Sequence, residues 1–429
     1  MPIIEITDLS HDGRGIAHRE GKTLFVEGAL PGERAAVEIT RKQRHFDEGR
    51  VQEFLLTSPE RVEPQCAHFS VCGGCSLQHF SPEGQIQAKH RVLVENLHRI
   101  AKVEPKRWLS PLVGATWGYR RKARLSVKYV EKKGRALVGF REKNGRYVAD
   151  IQRCEVLHPH VGERLDDLSA LIQSLDARLV IPQIEVAVGD QLTALVFRHL
   201  QPLSENDKNL LIEFAKRFNF GIFLQSAGVD SVHPLWPDQI SLQFSLAAYS
   251  LNMQFHPLDF IQVNADMNHR MLAQAMQLLE PTSEDRILDL FCGLGNFTLP
   301  MARFAGEVTG VEGESGLVSR ARENAKRNGL SNVQFHTADL SQNQRQASWA
   351  KVSFNKLLLD PPRSGADAVL EYFPTKTMDK ILYVSCHPGS LARDAATLVH
   401  QHGFTLIAAG VMDMFPHTAH VESMALFER

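Results

Sequence analysis

Through positions 1–57 apolar and polar residues alternate, broken at regular intervals by the turn signals HDGRG, EGK and EGALPGE. A period of two marks half-buried strands, and turns this frequent predict a small all-β unit closed as a barrel. A proline-containing connector, TSPERVEP, then leads to a cysteine-rich stretch at 66–75. The spacing changes to that of an amphipathic helix over roughly 85–100, with Ile86, Val92, Leu93, Leu97 and Ile100 available to one face. From about 117 to 258 strand-like segments return, such as ARLSVKYV and IEVAVGD, interrupted by helical pieces such as ENDKNLLIEFAKRF. Beyond Asp259 the chain alternates: a helix over 265–279, then strands at ILDLF, VTGVE, VQFH, KLLLD, ILYVS, FTLIAAG and VESMALF. Such alternation predicts a doubly wound, mainly parallel sheet, which binds ligands at the carboxyl ends of its strands.

Composition narrows the class. At 429 residues with a globular apolar fraction, the chain supports two or three packed domains. No window reaches the roughly 18 consecutive apolar residues of a membrane span. MPIIEITDLSHDGRG also lacks the basic patch and apolar run of a secretory signal, so a soluble cytoplasmic protein is expected. The 48 basic and 49 acidic residues balance overall but not locally. From Arg120 to Arg146 a dense basic run is opposed only by Glu131 and Glu142, with Tyr119, Tyr129, Phe140 and Tyr147 interleaved. That suits a phosphate-contacting surface with stacking platforms, and equally the solvated face of a sheet.

Six cysteines without a secreted disulfide pattern read as thiols that stay free, bind metal or do chemistry. Cys66, Cys72 and Cys75 form C-x5-C-x2-C around a Gly-Gly turn, and Cys154 is the remaining cysteine in this half of the chain. Zinc and an iron–sulfur cluster both fit that spacing, with His68 or His79 as further zinc donors. DLFCGLGNF, at 289–297, is a strand, a glycine turn and a helix start, and the next strand ends in Glu312, suited to ribose hydroxyls. Thr298 stands where a dinucleotide site wants a third glycine, which favours an adenosine ligand without a pyrophosphate; Asp339 would then hold the adenine amino group. LLLDPPR puts Asp360 at a strand end before two prolines, a stiff lip suited to a planar base edge. Cys386 in ILYVSCHPG stands at a strand tip, where a thiolate can act as a nucleophile. A thiolate adding at C6 of uracil makes C5 nucleophilic, and a base must later remove the C5 proton. Glu422, in the apolar strand HVESMALF, is the candidate, or else a core carboxylate paired with Arg363 or another basic group.

Together these motifs resemble the bacterial uridine C5 RNA methyltransferases, in particular the larger ribosomal members with an N-terminal TRAM domain. DLSHDGRGIA and LFVEGALPGE look like TRAM. FIQVN, DLFCGLGNF, LLLDPPR, SCHPGSLARD and DMFPHTAHVESMALF follow in the family's order, so the resemblance spans nearly the whole chain. It implies a multidomain fold: a TRAM-like, OB-like β-barrel at 1–57, and a cluster-bearing β-rich α+β central domain at 58–84 and 117–258. A Rossmann-like class I methyltransferase domain would take 85–116 and 259–429. It also implies a [4Fe–4S] cluster on Cys66, Cys72, Cys75 and Cys154, and S-adenosylmethionine contacts from Gln262, Phe291, Asn296, Glu312, Asp339 and Asp360. Cys386 would be the nucleophile and Glu422 the base, with Asp360 beside them. The substrate implied is 23S ribosomal RNA, at the uridine conventionally numbered 1939, and nothing demands more than a monomer. Departures are His387, where the family often has Asn, and Gly389-Ser390 in place of a more usual Ala-Thr. Other readings stay open: another rRNA or tRNA uridine, amino-group methylation resting on the DPP turn, or an RNA-binding or redox module with an inactive cofactor fold.

Overall fold

Six short strands account for the alternating N-terminal segment: β1 (Ile3–Glu5), β2 (Asp8–Leu9), β3 (Gly15–Arg19), β4 (Lys22–Glu27), β5 (Arg34–Lys42) and β6 (Phe46–Leu56). They pair in the order β1-β5-β6-β4-β3-β2. Because β1 and β2 are almost contiguous in sequence yet lie at opposite ends of that order, the sheet has to curl closed. Ile4, Ile6, Leu24, Val26 and Val37 fill its interior. The computed structural model describes every residue except Asn144 and Pro374, and the side chain of Lys376.

The helix expected over 85–100 runs instead as α1 (Pro82–Asn96), followed by one π turn, Leu97–Ala101. Its start is set by Ser81, whose Oγ accepts from Gly84 N at 2.9 Å, with Pro82 in the first helical position. The wider last turn rotates Ile100 off the buried face, leaving it 49% exposed rather than in the expected apolar stripe. A short strand, β7 (Arg107–Trp108), follows.

The middle of the chain contains β8 (Lys122–Val130), β9 (Arg135–Gly139), α2 (Pro159–Gly162), α3 (Leu165–Ser174), β10 (Gln183–Val188), β11 (Thr193–Arg198) and α4 (Glu205–Phe218). It ends with β12 (Phe220–Gln225), β13 (His233–Trp236) and the hairpin β14 (Leu242–Leu246), β15 (Leu251–Phe255). One sheet runs β13-β12-β11-β10-β8-β9, with β11 and β12 parallel across the α4 crossover. The ends of α4 match the sequence expectation because both are capped, by the Ser204–Asp207 capping box and by left-handed Asn219.

The last part comprises α5 (Ala265–Leu279), β16 (Arg286–Leu290), α6 (Thr298–Ala302), β17 (Glu307–Glu312), α7 (Ser315–Arg327), β18 (Val333–Thr337) and β19 (Lys356–Leu359). It continues through α8 (Asp367–Tyr372), β20 (Lys380–Ser385), α9 (Pro388–Ala396), β21 (Thr405–Met412) and β22 (Glu422–Glu428). The sheet order is β18-β17-β16-β19-β20-β22-β21-β7, parallel except for β22. From β16 the chain steps outward through β17 and β18, and from β19 it steps the other way, so a switch point opens between β16 and β19. At the far edge β7 adds to β21 in parallel, and α1 packs against α9 and β21. Among the described residues no helix is long and apolar enough to cross a membrane.

Candidate active site

The carboxyl ends of the switch-point strands carry acids. Asp289 in β16 has no exposed surface; its Oδ2 accepts from Thr298 Oγ1 at 2.5 Å, while Oδ1 has no partner. Burial, aided by the charges of Asp360 and Glu312, pushes its pKa up to about 8 against the Thr298 hydrogen bond. The residue in place of a third glycine therefore serves as the donor to a buried acid. Past β16 the backbone is left-handed at Phe291 (φ 66°), Gly293 (52°) and Gly295 (87°). Such a conformation at a bulky residue marks a constrained turn. A Cβ on Gly293 would meet nothing within 4 Å, so that face is open to a ligand. Glu312 locks the turn: Oε2 accepts from Gly293 N at 3.1 Å, and Oε1 from Gly313 N at 2.7 Å and Glu314 N at 3.1 Å.

The other expected contacts surround this turn. Asn296 exchanges two amide hydrogen bonds with Asn268 of α5, at 2.9 and 3.0 Å. Gln262 is half-buried in the loop before α5. That loop is fixed by Asp259, which accepts from His256 N at 2.6 Å and from Arg320 at 2.5 Å. Asp339, beyond β18, is exposed and accepts from Ser341 N at 3.0 Å and Oγ at 2.6 Å, hydrogen bonds that hold it below the usual carboxylate range. Cys292 is buried in the turn, and burial raises its thiol well above the ordinary range.

A second cluster forms at the ends of β19, β20 and β22. Asp360 follows β19, and burial pushes it up to about 7. Cys386 follows β20 and is half-buried; burial first, then Glu422 and Asp360, push its thiol up to about 11, with Arg363 opposing. Glu422 opens β22 opposite Met412, and burial and then Asp360 push it up to about 8, with Lys89 and Arg363 opposing. The alternative of a Glu422–Arg363 pair is not what forms: Arg363 lies against His420 Nδ1 at 2.8 Å, and Glu422 has no ion pair among the described residues. His387 takes the N-cap of α9, its Nδ1 accepting from Ser390 N at 3.1 Å, as an Asn oxygen would. Asp394 joins the lip to α9 by accepting from Ala366 N at 2.7 Å and Tyr383 OH at 2.6 Å. Both clusters lie at the carboxyl ends of neighbouring strands, β16 and β19, with Asp360 between Asp289 and Glu422 in the electrostatics.

Away from this site, Cys66, Cys72, Cys75 and Cys154 line one small cavity of about 20 Å³ together with Gln78, Phe140 and Val156. Burial raises all four thiols, Cys75 to about 11 and Cys154 to about 12. Gly74 N points to Cys72 Sγ at 3.4 Å, and Gln78 Oε1 accepts from Cys66 N at 3.1 Å. His68 lines the cavity; His79 does not, and both its ring nitrogens are buried without a partner. Among the described residues no group of three or more His, Cys, Asp or Glu is arranged to hold a metal ion.

Two features escaped the sequence. Asp289 sits inside an apolar strand, and only its place four residues before Gly293 of the glycine turn signals a role. The basic run is partly neutralised by acids distant in sequence: Arg121 pairs with Asp190, Arg124 with Glu185, Lys133 with Asp150, and Arg135 with Asp150 and Asp166. Lys128, Lys132, Arg141 and Arg146 stay exposed, with Tyr147 63% exposed beside Arg146.

Residues 83–429 match the family model for tRNA (uracil-5-)-methyltransferase, and residues 4–51 match the TRAM domain. The chain is 58% identical over 427 residues to a protein of Xanthomonas campestris pv. campestris (strain 8004) named 23S rRNA (uracil(1939)-C(5))-methyltransferase RlmD, covering 99% of this chain and 96% of that one. A Stenotrophomonas maltophilia (strain R551-3) protein of the same name is 58% identical over 428 residues, with 99% and 96% covered. Among solved structures, the Pyrococcus abyssi tRNA (uracil-54, C5)-methyltransferase in complex with S-adenosyl-L-homocysteine shares the fold. It has a TM-score of 0.74 at 23% identity, covering 99% of this chain and 100% of that one.

Proposed function

Since the chain belongs to the tRNA (uracil-5-)-methyltransferase family, we propose that it transfers a methyl group from S-adenosylmethionine to C5 of a 23S rRNA uridine, the one numbered 1939. The observation that carries the chemistry is the meeting of a half-buried thiol, Cys386, with two carboxyls, Asp360 and Glu422, beside an open glycine turn. An orphaned buried acid oxygen on Asp289, the open face at Gly293 and the fixed Glu312 carboxylate fit a nucleoside that carries an amino group. We assign Gln262, Phe291, Asn296, Glu312, Asp339 and Asp360 to holding S-adenosylmethionine, with Asp289 added.

When bound, S-adenosylmethionine supplies an electrophilic sulfonium methyl. The target base must be flipped out of its RNA fold, since a stacked uracil cannot receive both thiol and methyl. Asp360, on the lip stiffened by Pro361 and Pro362, holds the base edge. Cys386 adds through sulfur to C6, which makes C5 an enolate carbon; as C5 bonds to the methyl, the methyl–sulfur bond breaks and the neutral thioether S-adenosylhomocysteine leaves. The Cys386 thiol is largely protonated at neutral pH, so addition draws on the thiolate fraction, the proton passing to solvent. Glu422, in its ionised form, then removes the C5 hydrogen as a proton, and the C6–sulfur bond breaks with its electrons returning to sulfur, which releases the product.

Cys66, Cys72, Cys75 and Cys154 would hold a [4Fe–4S] cluster. A donor set of four thiols lining one cavity suits soft iron or zinc. Stoichiometric iron and sulfide after anaerobic purification would bear this out, and stoichiometric zinc without iron would sink it. We give the cluster a structural role. The domains are assigned as 1–57, 58–84 with 117–258, and 85–116 with 259–429, a division supported by the β7–β21 pairing. One copy holds every group named, so the working unit is a monomer acting in the cytoplasm on ribosomal RNA. A 23S fragment carrying 5-fluorouridine at the target tests the reaction, because fluorine cannot leave C5 as a proton does. The expected result is an SDS-stable adduct that Cys386→Ser abolishes; methyl transfer to ordinary rRNA without any adduct would mean chemistry that needs no thiol.

A further inference from the structure

Lys89 lies on α1 and is 2% exposed. Its Nζ donates to Asp413 Oδ1 at 2.6 Å and to the Phe415 carbonyl at 3.0 Å. Both acceptors belong to the segment 413–421, which joins β21 to β22 and delivers Glu422. One turn earlier on α1, Gln85 Oε1 accepts from His417 N at 2.8 Å, so the helix grips the segment at two levels. Burying an ammonium is costly unless it is paired, and an apolar side chain would fill the space without that cost. A charge kept here therefore points to a use for the charge.

Glu422 is faced by Cys386 from the tip of β20, by Asp360 and Arg363 from the turn after β19, and by Lys89 from α1. Asp413, His417 and His420 stand on its own connecting segment. Asp360 favours a retained proton on Glu422, while Lys89 and Arg363 favour its loss. Arg363 is exposed and engaged with His420, so solvent screens it; Lys89 is not screened.

We propose that Lys89 is a positioning residue for the catalytic base: through Asp413 and the Phe415 carbonyl it fixes the segment that carries Glu422, and its ammonium favours the ionised carboxylate that accepts the C5 proton. This rests on the assignment of Glu422 as the base. The full-length holoenzyme and an ordinary 23S fragment suffice to test it, with wild type, Glu422→Gln, Lys89→Met, Lys89→Gln and Lys89→Arg compared in turnover from pH 6 to 9. Lys89→Met is expected to keep KM within about threefold, to lower kcat at pH 7 about tenfold, and to recover as pH rises, its acid limb displaced upward by about one unit. Slowed elimination should leave an SDS-stable adduct with methylated, unfluorinated RNA. Lys89→Arg should restore both limb and release. Lys89→Gln keeps a donor but no charge, so it should move the limb as Met does, and it decides the matter if the Met variant does not fold. An unmoved acid limb in Lys89→Gln, or an equal loss at every pH without adduct, overturns the proposal. If Glu422→Gln itself turns over normally without adduct, the assignment of the base has failed instead.

Discussion

Glu422 has an ordinary carboxyl pKa of 4.5 in the unfolded chain, and burial, with Asp360 beside it, pushes this up to about 8 in the native state. Between those values the folded protein holds a proton that the unfolded chain has released, so stability falls as pH rises through that window. Glu422→Gln removes this dependence. The variant should lose turnover yet melt higher than wild type at pH 8, the difference closing toward pH 4.5 in scanning calorimetry; parallel melting curves at all pH values would mean that the carboxylate is stably solvated. Beside the nucleophile, His387 departs from the family's Asn but makes the bond an Asn would make, to Ser390 N. His387→Asn should therefore change urea-unfolding stability by less than about 0.5 kcal/mol, whereas His387→Ala should cost about 1 kcal/mol. The positions of Cys386, Asp360 and Glu422 at strand ends were legible from the apolar runs they border, while the roles proposed for them came from the resemblance and not from placement. Lys89 was not legible, since a lysine in a helix ordinarily reads as a solvated one, and its partner Asp413 lies at the other end of the chain.

Elements were legible where their ends carry their own chemistry. The α5 and α4 boundaries agree with expectation because Asn264 caps Met267 N, and Ser204 and Asn219 close α4, all within a few residues of the apolar pattern. For α1 the periodicity gave the helix but not its last turn, because nothing local signals the π turn that turns Ile100 outward. The basic run at β8–β9 left two readings open for the opposite reason: the counter-charges of Arg121 and Arg124, Asp190 and Glu185, lie far off in sequence. Charges already paired within the protein neutralise few phosphates, so RNA affinity should depend on the exposed, unpaired ones. Replacing Arg141 and Arg146 by Ala should flatten the dependence of log affinity on log salt by about one per lost phosphate contact, measured by filter binding. Arg124→Ala, which breaks an internal pair, should leave that slope unchanged.

Across the whole molecule, four parts of the chain converge on 413–421. Ser76 N and Leu77 N, directly after Cys75, both donate to the His417 carbonyl at 2.9 Å, and Ala419 N donates to Ser76 Oγ at 3.1 Å. Tyr119 OH donates to the Pro416 carbonyl at 3.0 Å, and Trp117 stacks on the His417 ring at 3.9 Å. His417 is left-handed (φ 64°), a conformation that costs a non-glycine residue about 1 kcal/mol and persists only where neighbours impose it. From the barrel, Gly13 approaches so closely that a Cβ there would sit 3.1 Å from Leu77 and 3.5 Å from Ala419. The segment that positions Glu422 is thus held by the residues next to the thiol-lined cavity, by α1 and by the barrel. Cys75→Ser should free the 76–77 backbone and, through it, His417. Hydrogen exchange at the amides of 413–421 is then expected to accelerate at least tenfold, with kcat falling more than RNA affinity, because the base is displaced while the exposed cations are not. If exchange there is unchanged while the cavity's own residues open, α1 and the barrel hold the segment by themselves. The thiols would then matter for folding and not for the placement of the base.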